Sequence, residues 1–171
     1  SAIDDPIAWR GEPMAEDKHI EGMQLQGRLQ RLVGQWAKGQ VTLKEMLGLT
    51  EDELFSIANQ AYLFFLQGKT ESARVLFEGL VAVNPRNAYY YRALGAIYWR
   101  LKEPQKALRQ FTYAIRVAPK DVASYVNRAE VYIAGRQFEE AREDLSAGLR
   151  NAGPLDEALM RKARAMLKMI R

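Results

Sequence analysis

One spacing governs this chain. Ala73, Ala107 and Ala141 stand 34 residues apart, and so do Phe64, Tyr98 and Tyr132, and Phe77, Phe111 and Leu145. The same step links Leu80, Ala114 and Gly148, and Ala61, Gly95 and Ala129. Pro85 and Pro119 keep it as well, with Gly153-Pro154 in the third place. So many columns at one period mark stacked copies of a single supersecondary unit, each too small to bury its apolar face alone. Inside a unit the apolar residues recur at helical intervals, which predicts helix pairs over 54–67 and 70–83, 88–101 and 104–117, and 122–134 and 138–150. The small residues let the two helices of a unit approach; the large ones fill the layers between units. Gly68, Lys102-Glu103 and Gly135-Arg136 mark the turns inside the units. Pro85 and Pro119 end the second helices, since proline cannot continue a helix and biases its predecessor away from helical angles. Asn87 and Asp121 stand one residue before the next helix, where N-caps belong, and Thr50-Glu51-Asp52-Glu53 forms a capping box for the first unit.

The period and the residue chemistry in each column resemble the tetratricopeptide repeat. The expected fold is therefore all-α: a right-handed superhelical solenoid of three such repeats (54–87, 88–121 and 122–153) with N-terminal helices and a C-terminal capping helix. Three repeats is about the minimum for a stable solenoid, whose ends need polar-faced caps. Residues 154–171 supply one cap, with Leu155, Leu159, Ala163, Met166, Leu167 and Ile170 on a single helical stripe and basic residues mostly off it. A helix lying on a membrane surface has the same pattern, but the place directly after the third repeat favours the cap. Upstream, residues 20–53 form a helical segment, with a helix over 20–37 striped by Leu29, Val33 and Trp36, and a short one over 42–47. Residues 1–19, with Pro6, Pro13, Ile7 and Trp9, are expected to be an extended or mobile arm.

Chemistry is excluded more firmly than binding. Cysteine is absent and His19 is the single histidine, so thiolate sites, disulfides and His-rich metal sites are all ruled out. No phosphate-binding glycine loop and no H-E-x-x-H pair occurs. Glu139, Glu140, Glu143 and Asp144 cluster beside Arg142 and read as a solvated helix face. The expectation is a protein with no catalytic residue, no metal, no cofactor and no small-molecule substrate. The longest apolar run, Ala61 to Leu66, is far short of the roughly 20 residues that span a bilayer, so no membrane insertion is expected, and no secretory leader is read. Basic residues concentrate in the second repeat: seven lie in 86–119 against one acid. Lys106, Arg109 and Arg116 belong to a second helix, however, away from Tyr89, Tyr91 and Trp99, so charge and rings do not interleave as nucleic-acid binding would require.

In a solenoid of helix pairs the first helices line the concave face, and their non-packing positions select the ligand. Those positions are Phe55, Ala58, Tyr62, Phe65 and Leu66 in repeat one, then Tyr89, Arg92, Ala96, Trp99 and Arg100 in repeat two. Repeat three adds Ala123, Val126, Glu130, Ile133 and Ala134. Five aromatics on one inner face predict a groove for an extended apolar peptide, held in register by Arg92, Arg100 and Glu130. A basic clamp for acidic chaperone tails, as some tetratricopeptide domains carry, is disfavoured, because Ala58, Tyr62, Ala93 and Ala123 occupy its positions and only Asn127 suits it.

A narrower resemblance lies in the leader. Residues 39–58, from Gly39 and Thr42-Leu43 through Leu49-Thr50-Glu51-Asp52 to Ala58, resemble the segment that precedes the three repeats in class II chaperones of bacterial type III secretion. Gly68 through Phe77 to Asn84-Pro85, then Tyr90-Tyr91 and Leu94-Gly95, are similar to their first repeat and its junction. The resemblance implies a small cytoplasmic bacterial protein that holds an extended segment of a secreted, translocator-type client in its concave groove before export, and that dimerises through residues 20–47. A general interaction scaffold of a secretion or other assembly is the alternative. The chain departs from that family in being basic, with a pI near 9.3, and in its longer leader over residues 1–38.

Overall fold

The computed structural model describes residues 15–170, with side chains described at residue 24 and from residue 27 onward. Ile7 and Trp9 of the expected arm lie outside the described residues. The chain divides into two units, residues 1–42 and 43–171. In the first, helix α1 runs Ala15–Ala37. It begins five residues earlier than the arm boundary at residue 19 implied, in a stretch where no proline follows Pro13. Gly39, at φ 68°, ends it. The Gly39 N–H donates to the Trp36 carbonyl at 2.8 Å and the Gln40 N–H to the Gln35 carbonyl at 2.9 Å, the pattern of a left-handed helix stop.

The second unit holds α2 (Leu43–Leu47), α3 (Glu51–Leu66), α4 (Thr70–Val83), α5 (Ala88–Arg100), α6 (Pro104–Val117), α7 (Val122–Ala134), α8 (Phe138–Asn151) and α9 (Glu157–Met169), with a 3₁₀ turn at Pro154–Asp156. Helices α3 to α8 are three antiparallel pairs, each packed on the next, and the fold is a tetratricopeptide-type solenoid closed by α9. Among the described residues no helix is long and apolar enough to cross a membrane.

Helix α3 starts at Glu51 rather than at 54, because the capping box forms. The Glu53 N–H donates to Thr50 Oγ1 at 3.2 Å, and the Thr50 N–H donates back to the Glu53 carboxylate at 2.8 Å. Those bonds hold the Glu53 carboxyl below its ordinary range, the backbone one foremost. Asn87 caps α5, its Oδ1 accepting from the Tyr89 N–H at 3.0 Å. Asp121 does not cap α7 with its side chain. Its carboxylate is drawn away by the Arg92 guanidinium and the Ser124 hydroxyl.

The turn inside each pair is one structure used three times. Gly68, Lys102 and Arg136, 34 apart, have φ of 78°, 64° and 59°. Each donates to the carbonyl three residues back, and the next residue reaches five back, as in Glu103 N–H to Tyr98 O at 2.9 Å. Only glycine adopts this left-handed backbone without a Cβ penalty. Gly68→Ala is therefore expected to lower stability by about 1 kcal/mol, whereas Lys102→Gly or Arg136→Gly changes it little or raises it. Urea midpoints at constant m-value check this, and an unchanged Gly68→Ala midpoint would refute it.

Two apolar clusters fill the solenoid. The first joins Leu54, Ala58 and Ala61 of α3, Ala73, Phe77 and Leu80 of α4, Tyr90, Leu94, Ile97 and Tyr98 of α5, and Ala107 and Phe111 of α6, and it takes in Val131 of α7. The second joins Val122, Val126 and Ala129 to Ala141, Leu145 and, on α9, Ala163, Met166 and Ile170. The small-residue columns at Ala61, Ala73, Ala107, Ala129 and Ala141 are fully buried, which is the close helix approach their size predicted. Polar groups tie the pairs together. Glu78 accepts from Arg74 Nη1 at 2.9 Å and from the Tyr98 hydroxyl. Burial alone would raise the Glu78 carboxyl, but these bonds and the Arg74 and Lys106 charges outweigh it and leave it below its ordinary value.

Asp144 corrects the reading of α8 as a wholly solvated acidic face. It is 5% exposed and takes Arg128 in a two-pronged bond, Nε to Oδ2 at 2.7 Å and Nη2 to Oδ1 at 2.6 Å. Arg128 Nη1 also donates to Thr112 Oγ1 at 2.9 Å, so one guanidinium joins α6, α7 and α8. Burial works against the Arg128 charge, and the Asp144 carboxylate more than offsets it, raising the guanidinium further above its ordinary value.

Candidate functional site

Helix α3 shows its free face through residues at steps of seven and four: Phe55, Tyr62 and Leu66 are 63%, 47% and 59% exposed. The adjoining face carries Leu54, Ala58 and Ala61 into the core. Such large apolar exposure on one helix stripe is unusual for a surface facing only water. Tyr89 of α5 stands next in the row. Its ring packs edge-on against Phe77, centroids 6.0 Å apart, and the Arg92 guanidinium lies 5.6 Å from its centroid. Burial pushes the Tyr89 phenol up, against the downward pull of the Arg92 charge.

Between α3 and α5 these rings enclose a hollow of about 300 Å³. Phe55, Ala58, Tyr89 and Tyr90 form its apolar lining, and Glu51, Asp52 and Asn87 complete the wall. Ala58 is 1% exposed, so it belongs to the buried core at the floor of this hollow and is not a surface contact. Glu51 and Asp52 were missed from the sequence. The capping box that starts α3 at Glu51 was the signal that places them beside Phe55.

Further along, Phe65, Ala96 and Trp99 are half-buried and Arg100 is exposed. Arg100 lies over Phe65, its guanidinium carbon 4.9 Å from the ring centroid, an arrangement that covers the ring and holds the cation. Arg92 is not free either, being paired with Asp121. Of the two arginines expected to hold a peptide, Arg100 thus braces repeat one against repeat two, and Arg92 braces the junction of repeats two and three.

The third repeat contributes less than its columns implied. Val126 is fully buried against Leu145 and the α9 residues Ala163 and Met166, which corrects its place on the groove. Ile133 packs against the same cluster, and Glu130 is paired with Lys162 of α9 at 2.7 Å. The cause is the capping helix: α9 lies on α7 as well as on α8. The exposed apolar row therefore belongs to repeats one and two, with Phe55, Tyr62, Leu66 and Tyr89 in it and the half-buried Trp99 at its end, and Leu63, 48% exposed, flanks it without having been anticipated.

Comparison with known proteins agrees with this architecture. The chaperone protein SicA of Salmonella typhimurium is 26% identical over 130 residues, which cover 76% of this chain and 78% of SicA. The Yersinia enterocolitica type III secretion translocator chaperone SycD superposes with a TM-score of 0.73 at 19% identity, over 75% of this chain and 98% of SycD. PcrH, known from Pseudomonas aeruginosa and solved in complex with the chaperone binding region of PopD, superposes with a TM-score of 0.68 at 25% identity, over 72% of this chain and 94% of PcrH. The sequence model described as tetratricopeptide repeat matches residues 59–122 and again 98–157. With its period, its turns and its helix pairs all in that register, this chain belongs to the tetratricopeptide repeat family.

Proposed function

We propose that this chain is a peptide-binding chaperone of the bacterial cytoplasm, with no catalytic activity, that holds an extended apolar segment of a translocator-type secreted protein before type III export. The carrying observation is the row of uncovered rings on the first helices, with the hollow between Phe55 and Tyr89 deep enough for one side chain. An extended chain presents a side chain every ~3.3 Å, so alternate residues can fill successive gaps along such a row while its backbone stays solvated. The likeness to SicA, and to a PcrH bound to the chaperone binding region of PopD, supports the choice of client. A segment meant to enter a membrane aggregates if left free, and a groove that covers it non-covalently delays that without fixing it.

The test is co-purification with candidate secreted clients, repeated with Tyr62→Ala and Trp99→Ala. Each variant is expected to stay folded and to lose about tenfold or more in client affinity, as truncation of a central aromatic anchor does. Full affinity in both folded variants would sink the groove. Binding should also change little with salt, since an apolar groove releases few counterions; a steep fall would point to phosphate contacts instead.

A second copy of the chain is the proposed cover for α1. Leu29, Val33 and Trp36 fall at helical spacing and each is about half exposed. Val33→Glu is expected to shift the chain toward monomer in sedimentation equilibrium, and a wild-type chain already monomeric at tens of micromolar would overturn this.

A further inference from the structure

The repeats can be compared with one another at the seam where the end of one first helix meets the next. At the seam of repeats one and two, Phe65 is covered by Arg100. One period later, Trp99 takes the place of Phe65 and Ala134 that of Arg100. The covering guanidinium has shrunk to a methyl group, and a hollow of about 340 Å³ remains. Trp99, Leu108, Val131 and Ala134 line it, with Lys102 and Gln105 among its polar residues. That is room for a phenylalanine or leucine side chain.

Charge decides what enters. An indole face is the best partner for a cation, but no carboxylate lines this hollow, Lys102 forms no ion pair among the described residues, and residues 86–119 carry seven bases against one acid. A cationic side chain would be repelled, and a neutral apolar one would not. The hollow at the other end of the row differs in sign, being walled by Asp52 and by Glu51, whose charge is partly met by Lys44.

We infer that Trp99 anchors a second pocket, which takes a bulky apolar side chain of the bound segment with an acidic residue beside it facing Lys102. This deepens the peptide-binding reading above and rests on it. The opposite signs at the two ends then select one direction for the bound chain, with its acidic end over repeats two and three.

The test uses the full-length chain, methyl-labelled for NMR, titrated with the capped dipeptides acetyl-Phe-Asp-amide and acetyl-Phe-Lys-amide. Both should shift the methyl signals of Leu108, Val131 and Ala134 saturably, and the aspartyl peptide should bind about two- to fivefold tighter, the range of an exposed ion pair. Lys102→Glu should reverse that order. Ala134→Arg, which restores the cover found over Phe65, should abolish the Leu108 and Val131 shifts while the Val122 and Leu145 signals stay in place. No shift at these methyls, or shifts that survive Ala134→Arg, would overturn the pocket. The groove is judged separately: if Tyr62→Ala loses the secreted client and Ala134→Arg keeps it in full, the groove stands and the pocket falls.

Discussion

Asp144→Ala is expected to destabilise the solenoid by about 3–5 kcal/mol, the cost of leaving a buried charge without its partner. Arg128 would remain, largely out of water, with Thr112 as its single hydrogen-bond partner. Thr112 gives the guanidinium one acceptor oxygen and no charge. In a chain of this size such a loss lowers Tm by roughly 10–20 °C. The double variant Arg128→Met, Asp144→Leu should recover most of it, because replacing a buried ion pair with apolar groups is often neutral. The second repeat already holds Leu94 and Gln110 in those two columns. Calorimetry on the two variants decides it: a loss under about 1 kcal/mol for Asp144→Ala would mean that water reaches Arg128 freely.

Gly95→Ala is expected to cost about 2 kcal/mol, although alanine is the better helix former by roughly 1 kcal/mol. A Cβ at Gly95 would fall 2.6 Å from Cε1 of Phe111 and 2.8 Å from Cδ1. The ring cannot yield cheaply, being 1% exposed in the first cluster. Phe111→Leu in the same chain should return more than half of the loss, since Ala129 and Leu145 pair this way in the third repeat. Shared packing makes the two changes strongly non-additive, and a double-variant cycle from denaturant midpoints measures it. If the two costs simply add, Phe111 is not the obstacle. Gly148 is the contrast, because its Cβ would meet nothing closer than Tyr125 Cβ at 3.5 Å, so alanine fits there.

The helix pairs were legible because the period was. Columns of small and large residues report on packing that repeats, and the prolines and turn residues punctuate it. Three things escaped because they break the repeat. Arg128 and Asp144 lie 16 apart on facing helices, so no local pattern shows that one buries the other. Asp121 sits in a cap position, but a partner from the preceding helix pair, Arg92, outbids the backbone for its carboxylate. Val126 occupies a groove column, yet the capping helix that buries it belongs to no repeat, and column reasoning cannot see a residue that only the end of the stack covers. The aromatic row was legible from its columns, while the acids beside Phe55 depended on where α3 begins.

Gly68, Lys102 and Arg136 share one turn geometry at one period, and each helix pair touches little beyond its neighbours. Chain length is therefore quantised. An additional 34 residues inserted between Asp121 and Val122 would lengthen the stack while disturbing a single junction, whereas half that number would exchange inner for outer helices and turn every ring after it to the wrong side. Lineages of this chain can grow or shrink only in whole steps, and each step adds or removes one seam at which a new side-chain preference can arise.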